Sequence, residues 1–389
     1  MRIVDIRERS IAISRYLDPA IPSGGLTTSL VAVVTDVVQA GKPVVGYGFS
    51  SIGRFAQGGL IRERFAPRLL RARDDELSDD ADNLDPFKAW QIMMMGEKPG
   101  GHGERCVAVG TLDMAIWDAA AKIAGLPLHR FLADRLGSKA ATSTRVRVYA
   151  GGGYLYPQND IARLSDEMRR FVDLGFTHAK IKIGSAGLDE DLRRIEAAAA
   201  QLPGYGHLAV DAMNTYDIDS GRAAATALAP LGLWWLEDVC DPLDFNTQAS
   251  VAASYDGPIA AGEALFSLAE AKLLDQHGGL RRARDILLFD PVHCYGLPGY
   301  LNIIEHLMMK GWPARAFWPH GGHLFCQHLV AALGLGGAEI NPLAFRPFRG
   351  QPAEMKIAEG FADLPQAPGI GFELHDEAWQ EFRSVFGEG

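Results

Sequence analysis

The stretch His178-Ala179-Lys180-Ile181-Lys182-Ile183 alternates basic and apolar residues with a period of two, the side-chain spacing of a β-strand. Outward from it, short apolar runs recur, each leading to an ionisable residue: Val210-Asp211, Leu236-Glu237, Gly262-Glu263, Phe289-Asp290 and, after Trp318-Pro319, His320. From Lys182 onward these groups are 29, 26, 26, 27 and 30 positions apart, one strand-plus-helix unit each time. Strands are expected at 146–149, 179–183, 208–210, 234–236, 259–261, 286–289 and 316–318, with a candidate eighth at 339–341 and helical stretches between them. Such a series builds a closed (β/α) barrel, in which polar groups at the C-terminal strand ends share one mouth. An open doubly wound sheet is the alternative, but the phosphate-binding GxGxxG is absent.

The part before this series has another style. Strands at 2–15, 27–38 and 44–49 precede helical stretches, the strongest at 104–124, an α+β order. The expected division is an α+β capping domain over 1–139, the barrel over 140–344, and a Pro-rich, helix-poor segment over 345–389 that returns to the cap. With 389 residues, 48% of them hydrophobic and 22% charged, the chain has the composition of an ordinary soluble globular protein. A net charge of −10 argues against a nucleic-acid or anionic-lipid partner. Four scattered cysteines without a CxxC pair, and no signal-like or membrane-length apolar run, lead us to expect a reduced, cytoplasmic enzyme.

Read singly, each acid at a strand end is an ordinary helix cap or a solvated loop residue. Read together, Asp211, Glu237 and Glu263 are three carboxylates at successive unit boundaries, a ligand set for a hard cation such as Mg²⁺ rather than for zinc. A barrel strand has no solvent face, so Lys180 and Lys182 point inward, where mutual repulsion is expected to lower the pKa of one and make it a base. Proton abstraction next to a carboxylate needs such a base and a divalent cation. Asp290 and His320 stand one unit apart as a candidate carboxylate–imidazole dyad, with His323 the rival histidine.

These residues resemble the enolase superfamily, mandelate racemase subgroup, over nearly the whole chain. The motifs are Gly110-Thr111-Leu112-Asp113-Met114-Ala115-Ile116-Trp117-Asp118 with its Gly125-Leu126-Pro127 stop, Lys180-Ile181-Lys182, Val210-Asp211, Leu236-Glu237-Asp238, Gly262-Glu263 and Phe289-Asp290-Pro291. The resemblance implies an α/β fold, a modified (β/α)7β TIM-type barrel with an N-terminal α+β capping domain. It implies Asp211, Glu237 and Glu263 as Mg²⁺ ligands, Lys182 as base beside Lys180, and Asp290 with a histidine as the strand-seven dyad. The muconate cycloisomerase subgroup has a lysine where Asp290 stands. Asp211-Ala212-Met213-Asn214 is one residue longer than the family's Asp-x-Asn, which bears on any role of Asn214 in substrate binding. Pro319-His320-Gly321 is similar to acid-sugar dehydratases and His323-Leu324-Phe325 to racemases, and His320 is taken as the acid.

The whole chain is further similar to the tartrate dehydratases, which implies conversion of D-tartrate to oxaloacetate plus water. Substrate selection is expected from the cap at 22–28 and 49–55, with Arg54, Lys98 and His102 as candidates for a distal carboxylate. The rival activities are a 2-hydroxy-acid racemase or epimerase using Lys182 and the histidine as opposed bases, and a non-catalytic acid-binding barrel. A homo-oligomer is expected.

Overall fold

The computed structural model describes residues 1–16, 21, 23–137 and 143–386. At the N-terminus β1 (Ile3–Ala12) pairs antiparallel with β2 (Thr27–Gln39), and β2 with β3 (Lys42–Phe49). Ala40 and Gly41 both take positive φ, 50° and 79°, the two-residue turn that matches strand twist. Leu30 to Val33 are wholly buried because this sheet lies on the helix Glu104–Ile123. The approach is close: a Cβ on Gly46 would stand 1.9 Å from the Ala115 carbonyl oxygen, so only glycine fits. On another face of the helix a Cβ on Gly110 would meet the Val292 carbonyl oxygen at 1.9 Å, and Asp113 Oδ2 accepts the Leu297 N–H at 2.7 Å. Buried from Cys106 to Ala121, the helix clamps the small sheet to the second body.

That body is a barrel. β4 (Arg145–Gly151), β5 (Ala179–Lys182), β6 (Leu208–Asp211), β7 (Trp235–Glu237), β8 (Ile259–Ala261) and β9 (Ile286–Leu287) are parallel neighbours in chain order, and β10 (Ala338–Ile340) pairs with β4. Between β9 and β10 the ring continues through one parallel bridge from Leu287 to Phe317 and a 3.0 Å bond from the Gly336 N–H to the Phe317 carbonyl. The strand expected at 316–318 is thus a bridge only, because a 3₁₀ turn over Ala314–Ala316 follows Pro313. The one expected at 286–289 ends its ladder at Leu287. Register sets Lys182 beside Asp211 and Asp211 beside Glu237. Two residues before Asp211, Glu237, Asp290 and His320, respectively, Ala209, Trp235, Leu288 and Trp318 join Tyr149 and Ala260 in an apolar layer under the charged level.

After β10 the chain forms a hairpin, β11 (Ile357–Ala358) and β12 (Phe361–Asp363), whose second strand pairs with β4. The segment expected to be helix-poor ends in a helix, Asp376–Phe386, which packs on β1 and β2. Its apolar stripe explains this: Ala378 and Phe382 are buried four residues apart, and the Phe382 ring lies 5.2 Å from that of Tyr47. The expected boundary at 139/140 falls outside the described residues. Among the described residues no helix is long and apolar enough to cross a membrane, and all four cysteines are buried and free.

One further joint carries a pH dependence. His129, in helix Leu128–Leu136, and His328, in helix Leu324–Leu333, stack at 5.3 Å with their Nδ1 atoms 3.2 Å apart. Burial lowers both from the ordinary value of 6.5, His129 to about 4 with help from Arg130, and His328 to about 3 with help from His129. The unfolded chain binds these protons near pH 6.5 and the folded chain does not, so stability falls as pH drops from about 6.5 toward 4. His328→Gln should flatten the dependence of melting temperature on pH between 7 and 5; an unchanged slope in calorimetry would exclude the pair as its source.

Candidate active site

The charged level of the barrel is a network rather than a set of separate groups. Lys180, 1% exposed, reaches carboxylates from three strands: it is hydrogen-bonded to Glu237 and lies 3.4 Å from Glu339 and 3.7 Å from Asp211. Lys182 donates to Asp211. The indole N–H of Trp235 donates to Glu237 Oε2 at 2.7 Å, and the Met213 N–H to Asp211 Oδ1 at 2.7 Å. Burial disfavours charge on Lys180, yet Glu237 and Glu339 outweigh it and hold the ammonium well above its ordinary value. For Lys182 burial is likewise overcome, chiefly by Asp211. The expected lowering of a lysine pKa is therefore reversed in this arrangement, because carboxylates lie closer to each ammonium than the lysines' mutual repulsion can offset.

Carboxylate oxygens of Asp211, Glu237 and Asp238 lie within 4.8 Å of one another, all buried. Burial and its acidic neighbours, Glu263 foremost, drive the Asp238 carboxyl well above its ordinary range. Oxygen donors only, mutually repelling and out of water, are a setting that fits a hard divalent cation. Glu263, expected as a third ligand, stands outside this trio. It lines the same cavity as Asp211, with Oε2 3.5 Å from His320 Nε2 and without a hydrogen bond from any described residue.

Opposite the lysines, Asp290 Oδ2 accepts from His320 Nδ1 at 2.9 Å and from the Ser51 hydroxyl at 2.6 Å, while Oδ1 accepts the Val292 N–H at 2.7 Å. Burial would raise the Asp290 carboxyl, but the neighbouring His293 imidazole, 3.7 Å away, followed by the His320 hydrogen bond, outweighs it and holds Asp290 well below the usual carboxylate range. His320 is raised to about 9: burial opposes its charge, but Glu263 and Asp290 outweigh it. His323 is lowered to about 4 by burial. It begins the helix Leu324–Leu333, its Nε2 3.1 Å from the Ser51 hydroxyl and its ring against Phe49. His320 lines the cavity and His323 sits behind it.

The cavity, about 160 Å³, is bounded by barrel residues Tyr154, Lys182, Asp211, Asn214, Glu263, His320 and Glu339 and by cap residues Arg15, Leu26, Ile52 and Gly53. Asn214 is thus at the site despite the extra residue before it, as Met213 and Asn214 both take positive φ (50° and 59°) and absorb it in a turn. The other three expected substrate contacts stand elsewhere. Arg54 covers the Phe266 ring at 4.6 Å, Lys98 is exposed with its carbonyl bonded to Arg105, and His102 Nδ1 lies 3.1 Å from the Tyr295 hydroxyl. Pro22 lies outside the described residues. Sequence reasoning missed Arg15, Ser51 and Glu339. Only Glu339 carried a signal, as a charged residue on the candidate eighth strand.

Comparisons with known proteins give the family and the fold. Residues 163–378 match the family described as enolase C-terminal domain-like, and the chain belongs to that family. It is 26% identical to the arabinonate dehydratase of Saccharolobus solfataricus, over 98% of this chain and 99% of that one. It is 27% identical to the L-talarate/galactarate dehydratase of Salmonella typhimurium, over 92% and 85%. Among solved structures, an L-talarate dehydratase from Polaromonas sp. JS666 complexed with Mg and L-glucarate superposes with a TM-score of 0.72 at 25% identity, covering 95% of this chain and 94% of that one. A racemase from Streptomyces coelicolor with bound magnesium shares the fold, with a TM-score of 0.77 at 23% identity over 98% and 99%.

Removing Lys180 strands Glu237 and Glu339. Lys180→Met should lower the unfolding free energy by about 3–5 kcal/mol in chelator-treated buffer, the typical effect of breaking a buried pair, and added Mg²⁺ should restore part of it. Urea denaturation with and without Mg²⁺ reads both, and a loss under about 1 kcal/mol would show the network does not depend on this ammonium.

Proposed function

We propose that this chain is a Mg²⁺-dependent acid-sugar dehydratase whose substrate is D-tartrate and whose product is oxaloacetate. The observation that carries the reading is that Lys182 and the Asp290-supported His320 line one small cavity together with Asp211 and Glu263. The acid-sugar dehydratases among the relatives support the reaction class, and the cavity's size supports a short substrate. Asp211 and Glu237 would hold the cation, with Glu263, which lines the same cavity though outside the buried trio, as the third ligand and Asp238 beside them. When bound, Mg²⁺ supplies positive charge that competes with Lys182 for Asp211 and stabilises the negative charge developing on the substrate carboxylate.

The remaining work falls to the protein. Lys182, once released from Asp211 and deprotonated, takes the proton from C2, and the electron pair left behind moves into the adjoining carboxylate. As that pair returns, the C3–O bond breaks, and protonated His320 delivers its proton to the departing hydroxyl, which leaves as water. Asp290 keeps the imidazole oriented and favours its charged form before transfer. The resulting enol takes up a proton at C3 to give the 2-keto diacid. A general acid at this step is worth roughly 10²- to 10⁴-fold in rate, because hydroxide is a poor leaving group.

The test is incubation with Mg²⁺ and a panel of tartrates and acid sugars in D₂O, following keto-acid formation and loss of the α-proton signal. Keto acid from D-tartrate supports the full reading. Keto acid from a different member keeps the dehydratase and replaces the substrate, whereas inverted, deuterated substrate without keto acid shows a racemase. Two variants separate the roles. Lys182→Ala should abolish α-proton exchange while Mg²⁺ still binds, and His320→Asn should stop keto-acid release while exchange at C2 continues. Full turnover in the second would move the acid role away from His320.

A further inference from the structure

Arg15 is the cationic side chain of the cap that reaches the cavity. Its backbone is pinned on both sides: Ser14 and Arg346 exchange two 3.2 Å hydrogen bonds, and the Arg15 N–H donates to the Ser23 hydroxyl at 3.0 Å. The side chain runs beside Tyr154, with its guanidinium carbon 5.9 Å from the ring centroid, and Lys182 Nζ is 5.4 Å from the same centroid. Arg15 and the assigned base therefore flank one aromatic ring. Arg15 Nε is buried and has no hydrogen-bond partner among the described residues, and the guanidinium forms no ion pair with them.

That is an unusual state for an arginine. Other buried or half-buried guanidiniums have acids, Arg194 with Asp160, Arg135 with Asp79 and Asp85, and Arg281 with Asp285, while the half-buried Arg54 at least lies over the Phe266 ring. Desolvating a donor without a partner is unfavourable unless something supplies the acceptor. A planar fork that cannot lose its proton is matched best by a carboxylate. The cavity acids are engaged elsewhere: Asp211 with Lys182, Glu339 beside Lys180, and Glu263 facing His320. About 160 Å³ is well under the ~300 Å³ at which pockets for drug-sized ligands begin, so an acceptor brought by the substrate arrives on a short carbon chain.

We infer that Arg15 is a specificity-determining residue which binds the second carboxylate of the substrate, making the site selective for short dicarboxylic hydroxy acids over sugar acids that end in an alcohol. The inference rests on the dehydratase reading for the placement of the first carboxylate and of the reacting carbon. It replaces Arg54 with Arg15 as the cap's cation.

The experiment compares wild type, Arg15→Met and Arg15→Lys with Mg²⁺ present, on D-tartrate and on the four-carbon monoacid that carries a terminal CH₂OH instead. Calorimetric binding and keto-acid release are both measured. In Arg15→Met the diacid-over-monoacid preference in kcat/KM and in binding should fall roughly 10- to 100-fold, the range for losing a hydrogen bond to a charged group, with partial recovery in Arg15→Lys. Equal losses on both acids would reduce Arg15 to a structural part, and an unchanged preference would remove it from the site. Arg15-dependent diacid binding without keto acid would keep the subsite and overturn the dehydratase. A wild type that binds no diacid would overturn the subsite.

Discussion

Several charges share a volume that water barely enters, and their mutual compensation is the constraint on which the barrel mouth depends. Asp211, Glu237, Glu339 and Asp238 are all buried, and taking such groups out of water is unfavourable unless each is matched. Lys180 does most of the matching, because its single ammonium touches acids on β6, β7 and β10. It therefore joins electrostatically the strands that the backbone joins by hydrogen bonds, across the point where β10 meets β4 to close the ring. Position in the sheet and charge in the site are one problem: a slip of one residue in β5 would turn Lys180 and Lys182 into the apolar shell and Ile181 into the mouth.

The cap enters this arrangement at two depths. Deep inside, the Ser51 hydroxyl donates to Asp290, and its φ of 61°, uncommon for a residue with a Cβ, gives the bend that carries it there. Gly321 permits the approach, since a Cβ at that position would stand 2.6 Å from Ser51 Oγ and 2.9 Å from Asp290 Oδ2. Nearer the opening, Gly53 faces His320 and Arg15 lines the wall. The cap thus supports the acid dyad as well as facing substrate. The sheet's close seating on helix Glu104–Ile123 at Gly46, and that helix's on the Val292 backbone at Gly110, hold both contacts in place.

Much of the barrel was legible in the residues because each unit repeats one grammar, a buried apolar run followed by one ionisable group. Period and spacing are properties of regular structure, so Lys182, Asp211, Glu237, Asp290 and His320 stood out. The strand at 316–318 was over-read for the same reason: an apolar run looks alike whether it forms a ladder or one bridge. Arg15 and Ser51 lie on cap loops whose paths no periodicity encodes, and such loops carry Arg54, Lys98 and His102 to positions outside the cavity lining. The lysine pKa shifts came out with the opposite sign because the strand register, unreadable beforehand, brings an acid to each ammonium.

The aromatic layer under the charged level has a consequence for traffic. Trp234, Trp235, Trp318 and Tyr149 pack with ring centroids 3.8 to 5.9 Å apart and fill the barrel beneath the lysines. The cavity is consequently closed on the barrel side, and among the described residues the cap adds Arg15, Leu26, Ile52 and Gly53 to its wall. Whatever goes in must back out by the same doorway, so a cycle ends only when the vestibule has emptied.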